Sequence, residues 1–196
     1  MPRPRKDDPQ SAAPAKIEAA FWRLLEKVGY PEITVRRISQ ESETNRNSFY
    51  YHYNGLEDLA RMAFVNNAER ARPLVSSLVA GLQGGVTQQL QLNEEVITHA
   101  QRVMLCARSE SPFLRRLVNE LLRDTWFEEL GVDSGRLSPE EMMQVEFIFG
   151  GLVAVLGGPE VEESPLIMPA LANSDIGRAA IETLKSIAEA QAGRGR

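Results

Sequence analysis

Cysteine, histidine and long apolar runs are scarce in this chain, and each scarcity removes a class of function. The single cysteine, Cys106, has no partner for an internal disulfide, which predicts a reducing, cytoplasmic setting. The two histidines, His52 and His99, fall in different parts of the chain, no glycine-rich phosphate loop is present, and no cluster has metal-ligand spacing. The residues argue against an enzyme, and they imply neither a metal nor another cofactor. The longest uncharged apolar stretch, Phe147 to Gly158, has 12 residues, whereas a membrane-spanning helix needs about 20. No membrane association is expected. The opening residues Met1-Pro2-Arg3-Pro4-Arg5-Lys6-Asp7-Asp8-Pro9 lack the apolar centre of a secretion signal, and residues 1–14 read as a disordered basic arm.

Basic charge is also in short supply. The 196 residues carry 22 Lys and Arg against 27 Asp and Glu, a net charge of −5, with a pI near 5.2. Such a balance argues against nucleic acid unless the charge is unevenly distributed. Residues 1–61 hold ten basic and nine acidic side chains, and residues 62–196 hold twelve and eighteen. The acid therefore lies mainly outside the N-terminal part. Near-neutrality there is weak support for DNA binding, and the case rests on motif.

Helical periodicity is what the chain has in abundance. Ile17, Ala20, Phe21, Leu24, Leu25 and Val28 recur at the spacing of one helix face, and Gly29-Tyr30-Pro31 stops the run. Thr34 has the chemistry to cap a second short helix that buries Val35 and Ile38. Asn45 can cap a third, and Asn54 followed by Glu57 has the spacing of a capping box opening a fourth. Later helices are predicted over roughly 58–80, 93–109, 113–130, 139–157 and 174–191, separated by Gly- and Pro-containing breaks. No period-2 strand, internal repeat or heptad array is found. The expected architecture is all-α: a three-helix unit over residues 15–61, then a larger helical body over residues 62–196.

Three short helices with a tight turn between the second and third match the helix-turn-helix plan. Ile33-Thr34-Val35-Arg36-Arg37-Ile38-Ser39, Thr44-Asn45-Arg46-Asn47-Ser48-Phe49-Tyr50-Tyr51-His52-Tyr53 and Glu57-Asp58-Leu59 resemble the DNA-binding segment of the TetR family of regulators. The resemblance covers about residues 15–64; beyond it only the helical layout is shared. Phe49 is the one large apolar residue suited to anchor the third helix, whose other side chains are polar or polar-tipped. Arg46, Asn47 and Ser48, with Arg36 and Tyr51 as helpers, are donor and acceptor types that read base edges. The helix starts at Thr34 and Asn45 offer backbone N–H groups to phosphates, and the resemblance adds Tyr50 and His52 as backbone contacts. Tyr53 and His52 can instead pack the third helix against the fourth, and Arg36 and Arg37 can instead form a solvated face. Two positions depart from the family pattern: Glu43 stands where the turn usually has glycine, and Leu56 where a phosphate-binding lysine is common.

A pseudo-palindromic operator in double-stranded DNA needs two recognition helices about 34 Å apart, hence a homodimer. Residues Glu140 to Leu156 are apolar nearly all round, so both the core and a partner subunit are expected to cover them. Met142, Val145, Phe149, Leu152 and Val153, with Ile176, Ala180, Leu184 and Ile187 of the last helix, are the interface candidates. The resemblance also implies a pocket for a small apolar or amphipathic effector, with His99, Val103, Trp126, Phe127, Met143 and Phe147 as candidate lining. His99 can instead be a satisfied structural histidine, and the aromatic and methionine residues ordinary core. The expected function is a sequence-specific transcriptional regulator, a repressor released by ligand. The alternative is a helical ligand-binding or interaction protein whose DNA affinity Glu43 and Leu56 have weakened.

Overall fold

The computed structural model describes residues 9–82, 94–158, 171 and 173–194. The described residues form eight α-helices and no strand: α1 (Pro9–Val28), α2 (Val35–Glu41), α3 (Arg46–His52), α4 (Leu56–Leu82), α5 (Glu94–Arg108), α6 (Pro112–Leu130), α7 (Pro139–Leu156) and α8 (Asp175–Arg194). Short 3-10 turns occupy Tyr30–Glu32 and Ser134–Arg136. The all-α expectation holds. No helix among the described residues is long and apolar enough to cross a membrane.

Helix limits follow local chemistry. Thr34 Oγ1 accepts from the Arg37 N–H at 3.2 Å, and Asn45 Oδ1 from the Ser48 N–H at 2.7 Å, so each cap satisfies one of the otherwise unpaired N–H groups of a first turn. Ser138 and Glu141 make a reciprocal capping box at the start of α7. Gly131 ends α6 in the left-handed conformation at φ 67°.

Two expectations need correction here. Residues 9–14 are not part of a disordered arm but belong to α1, which starts at Pro9 and carries Pro14 within it. Pro9 opens the first turn, where a missing N–H forfeits no helix bond, whereas Pro14, the sixth residue of the helix, costs it one; extending the helix this far buries Ala13. The cap at Asn54 is taken by Asp58 rather than Glu57: Asp58 Oδ2 accepts from the Asn54 N–H at 2.8 Å and from Asn54 Nδ2 at 3.0 Å. Glu57 is left exposed.

The apolar core runs without a break through the chain. Ile17, Phe21, Leu25, Ile38, Phe49, Leu59 and Phe64 form its N-terminal part, and Val103, Leu114, Val118, Phe127, Val145, Phe149, Val153, Leu184 and Ile187 its continuation in the body. Helix α4 packs on α1 and also on α5 and α6. Aromatic contacts reinforce the junction: Tyr30 lies 6.3 Å from Phe113, Arg61 sits 5.3 Å over that same Phe113 ring, and Arg102 sits 5.3 Å over Trp22. Cys106 is buried in the body, and desolvation pushes its thiol up to about 12.

Phe149 is almost fully buried and meets Phe127 edge to face at 6.4 Å. Phe149→Ala should destabilise the protein by about 3–5 kcal/mol, measured by chemical denaturation; a loss below about 1 kcal/mol would contradict its place in the core.

Candidate nucleic-acid interface

Helices α2 and α3 are joined by Ser42, Glu43, Thr44 and Asn45. The Thr44 N–H bonds the Ser39 carbonyl at 3.0 Å and the Glu43 N–H bonds the Gln40 carbonyl at 3.3 Å, the paired bonds of a Schellman cap. The residue after the cap in that motif is left-handed and is usually glycine. Here it is Glu43 at φ 55°, the one non-glycine residue with positive φ among those described. The glycine position expected from the motif is thus the left-handed position of the turn. Ser42 Oγ donates to the Ile38 carbonyl at 2.7 Å, and Arg23 Nε bonds Glu41 Oε1 at 2.7 Å, fixing the end of α2 to α1.

Helix α3 has one buried side chain, Phe49. Its ring meets Tyr50 at 5.3 Å and Tyr53 at 5.7 Å. Around that anchor the helix presents Arg46, Asn47, Tyr50 and Tyr51 to solvent, with Tyr51 76% exposed, and Ser48 half-buried. Arg36 on α2 is exposed as well. Neither Arg36 nor Arg46 has an ion-pair partner among the described residues, whereas Arg37 is held by Glu32 at 3.3 Å. Thr34 and Asn45 spend their side-chain oxygens on capping.

Two aromatic positions divide differently. Tyr53 is buried and donates its hydroxyl to Glu18 Oε1 on α1 at 3.2 Å. Burial, then the charge and acceptor of Glu18, push its phenol well above the usual value. It is a packing residue, the reading held open for it above. His52 is half-buried between Tyr51 and Tyr53, with ring centroids 4.9 and 6.3 Å away, and its Nε2 is shielded without a hydrogen-bond partner. Leu56, at the place of the common lysine, packs partly buried against the core, which explains an apolar residue there.

The candidate effector lining does not come together. His99, Val103, Trp126 and Phe127 are buried, while Met143 and Phe147 point away from them into solvent, Phe147 being 82% exposed. At 100° per residue, positions 143 and 147 lie on the side of α7 opposite Val145 and Phe149. His99 is bonded to Asn67 of α4, as a structural histidine would be. An open groove of about 480 Å³ runs between α6 and α7 instead, lined by Arg115, Arg116, Asn119, Arg123, Glu146 and Gly150 among others. Arg123 and Glu146 face each other across it at 3.6 Å.

The interface candidates also need correction. Val145, Phe149, Val153, Leu184 and Ile187 are buried within the chain itself, and Leu152 and Ala180 partly so. They are the core side of α7 and α8. Met142 and Ile176 are exposed, and the solvent-facing stripe of α7 is Met143, Phe147, Gly150, Gly151 and Ala154. A helix apolar on every face gives no sequence signal for which face turns inward.

No protein-family model matches this chain, and no curated protein matches it.

An L-residue pays roughly 1–2 kcal/mol for the left-handed conformation, part of which glycine returns through the entropy of its unfolded state. Glu43→Gly should therefore raise stability by about 0.5–1 kcal/mol, read as a higher midpoint in urea, and a lower midpoint would refute the strain at this turn.

Proposed function

We propose that this protein is a homodimeric, sequence-specific DNA-binding regulator of transcription, of the TetR type that residues 33–59 resemble, acting as a repressor that a small-molecule ligand releases. The observation that carries the reading is the economy of α3. Seven residues are held by one buried ring, Phe49, and one side-chain cap, Asn45, while Arg46, Asn47, Tyr50 and Tyr51 remain exposed. A helix that buries so little contributes little to stability, and its exposed side chains are those that pair with base edges and phosphates. Arg46 and Asn47 read bases, with Ser48, Tyr51 and Arg36 beside them. Thr34 and Asn45 meet the phosphates through the backbone at their helix starts and Tyr50 through its side chain; the shielded Nε2 of His52 does not favour the contact that the resemblance gives it.

The second subunit covers the outer face of α7. Met143 and Phe147 are exposed there, and Gly150 and Gly151 leave open space where a Cβ would stand, so a helix can approach closely. Burying this face removes apolar surface that no part of the described chain covers. Helix α4 joins the DNA-reading unit to the body, so a ligand that prefers one body conformation shifts the spacing of the two recognition helices.

Gel-shift titration against DNA lying upstream of the coding sequence tests the DNA reading. Specific binding at physiological salt should weaken by about 1–3 kcal/mol in Arg46→Ala; equal affinity for any duplex would overturn it and leave a helical interaction protein. The dimer is tested separately. Light scattering at micromolar concentration should give twice the 21.8 kDa chain mass, and Phe147→Glu should return the mass to that of one chain. A wild-type protein of single-chain mass would remove the interface.

A further inference from the structure

A polar pair sits in the seam between α4 and α5. Asn67 is 3% exposed and His99 5% exposed. Asn67 Nδ2 donates to the His99 carbonyl at 2.9 Å, which fixes the amide and leaves its Oδ1 facing His99 Nδ1 at 2.7 Å. Oδ1 only accepts, so Nδ1 must carry the proton. The neutral ring then has its lone pair on Nε2, and Nε2 faces Glu95 Oε1 at 3.7 Å. Two acceptors meet there, and the ring is one proton short. Arg70 on α4 and Arg102 on α5 also face the ring, while Glu26 of α1 acts on Arg102.

We propose that His99 is a proton-operated latch between α4 and α5: the neutral ring ties the two helices through Asn67, and a proton on Nε2, which leaves the Nδ1–H bond to Asn67 in place, loosens the seam by putting a cation inside it. The added proton finds Glu95, but that carboxylate is on the ring's own helix, is largely exposed and is shared with Arg70 at 3.8 Å. The cation so formed is buried in the seam, and that burial is the main cost; Arg102 and the largely exposed Arg70 of the facing helix add like charge. Burial first, then Arg102 and Arg70, lower the ring's affinity for its proton in the folded chain, with Glu95 acting the other way. The sign follows: the latch contributes stability above the usual imidazole value of 6.5 and loses it as pH falls through the lower folded value. The latch stands whether or not α3 binds DNA, because it concerns only the α4–α5 seam.

Nitrogen-15 NMR of the full chain tests it, with His52→Gln serving to assign the two imidazole signals. At about pH 8 His99 should show the Nδ1–H tautomer, and its midpoint should lie below 6.5. Amide exchange in α4 and α5, corrected for its intrinsic pH dependence, should accelerate several-fold through that midpoint. Asn67→Asp, which puts a carboxylate against Nδ1–H, should strengthen proton binding by about tenfold or more. An Nε2–H tautomer, a wild-type midpoint at or above 6.5, or exchange that ignores the midpoint would each overturn the latch.

Discussion

Helix α4 has to satisfy the N-terminal unit and the body with one continuous stretch of chain, and α1, α5 and α6 all pack on it. Leu59, Ala60, Ala63 and Phe64 are buried near its start, where it packs on α1, and Asn67 and Ala68 are buried where it turns to the body. The alanines allow close approach, and the larger Leu59 and Phe64 fill the space on either side. Because one rigid helix belongs to both cores, the orientation of α2 and α3 is not independent of the body. The contacts of Tyr30 with Phe113 and of Trp22 with Arg102 add a second connection outside the helix axis. A change in how α5 or α6 packs therefore reaches the N-terminal unit by two routes.

Helix α3 illustrates a different constraint. Seven residues are too few to be helical alone, since the cost of nucleation is spread over very few bonds. Its existence depends on Asn45 at one end, Phe49 in the middle and Tyr53 bonded to Glu18 just beyond the other end. Tyr53 reaches α1 directly and Phe49 sits in the core that α1 shares, while the Asn45 cap is local to α3 itself; Arg46, Asn47, Tyr50 and Tyr51 are left exposed. The exposed side chains of α3 thus contribute little to holding the helix in place.

What could be read in the sequence depended on whether the signal was local. Thr34, Asn45 and Gly131 end or begin helices through bonds to residues within a turn, and such caps are visible as residue types at fixed spacing. Glu43 carries no such local signal: it stood out only against the family pattern, and its left-handed φ follows from the Schellman bonds around it. The start of α1 is not legible, because the polar, charged opening residues read as a disordered arm while the burial of Ala13 depends on distant partners. Nor was the choice between Glu57 and Asp58 at Asn54, where two carboxylates compete one residue apart. The largest error concerned α7. With Met, Val, Phe, Leu and Gly distributed around the whole helix, periodicity does not distinguish Phe149, which is buried, from Phe147, which is not. The candidate effector lining failed on the same point, since it combined side chains from opposite sides of that helix.

The environment of Cys106 has a practical consequence. Its thiol is enclosed by the body and held in the protonated form well above neutral pH, and the protonated form is a poor nucleophile. It is also the only sulfhydryl in the chain. A cysteine introduced at an exposed site such as Gln40 or Asn47 would thus react with a maleimide or spin label far faster than the native one. The unmodified chain is already a near-cysteine-free background for placing single probes on the surface.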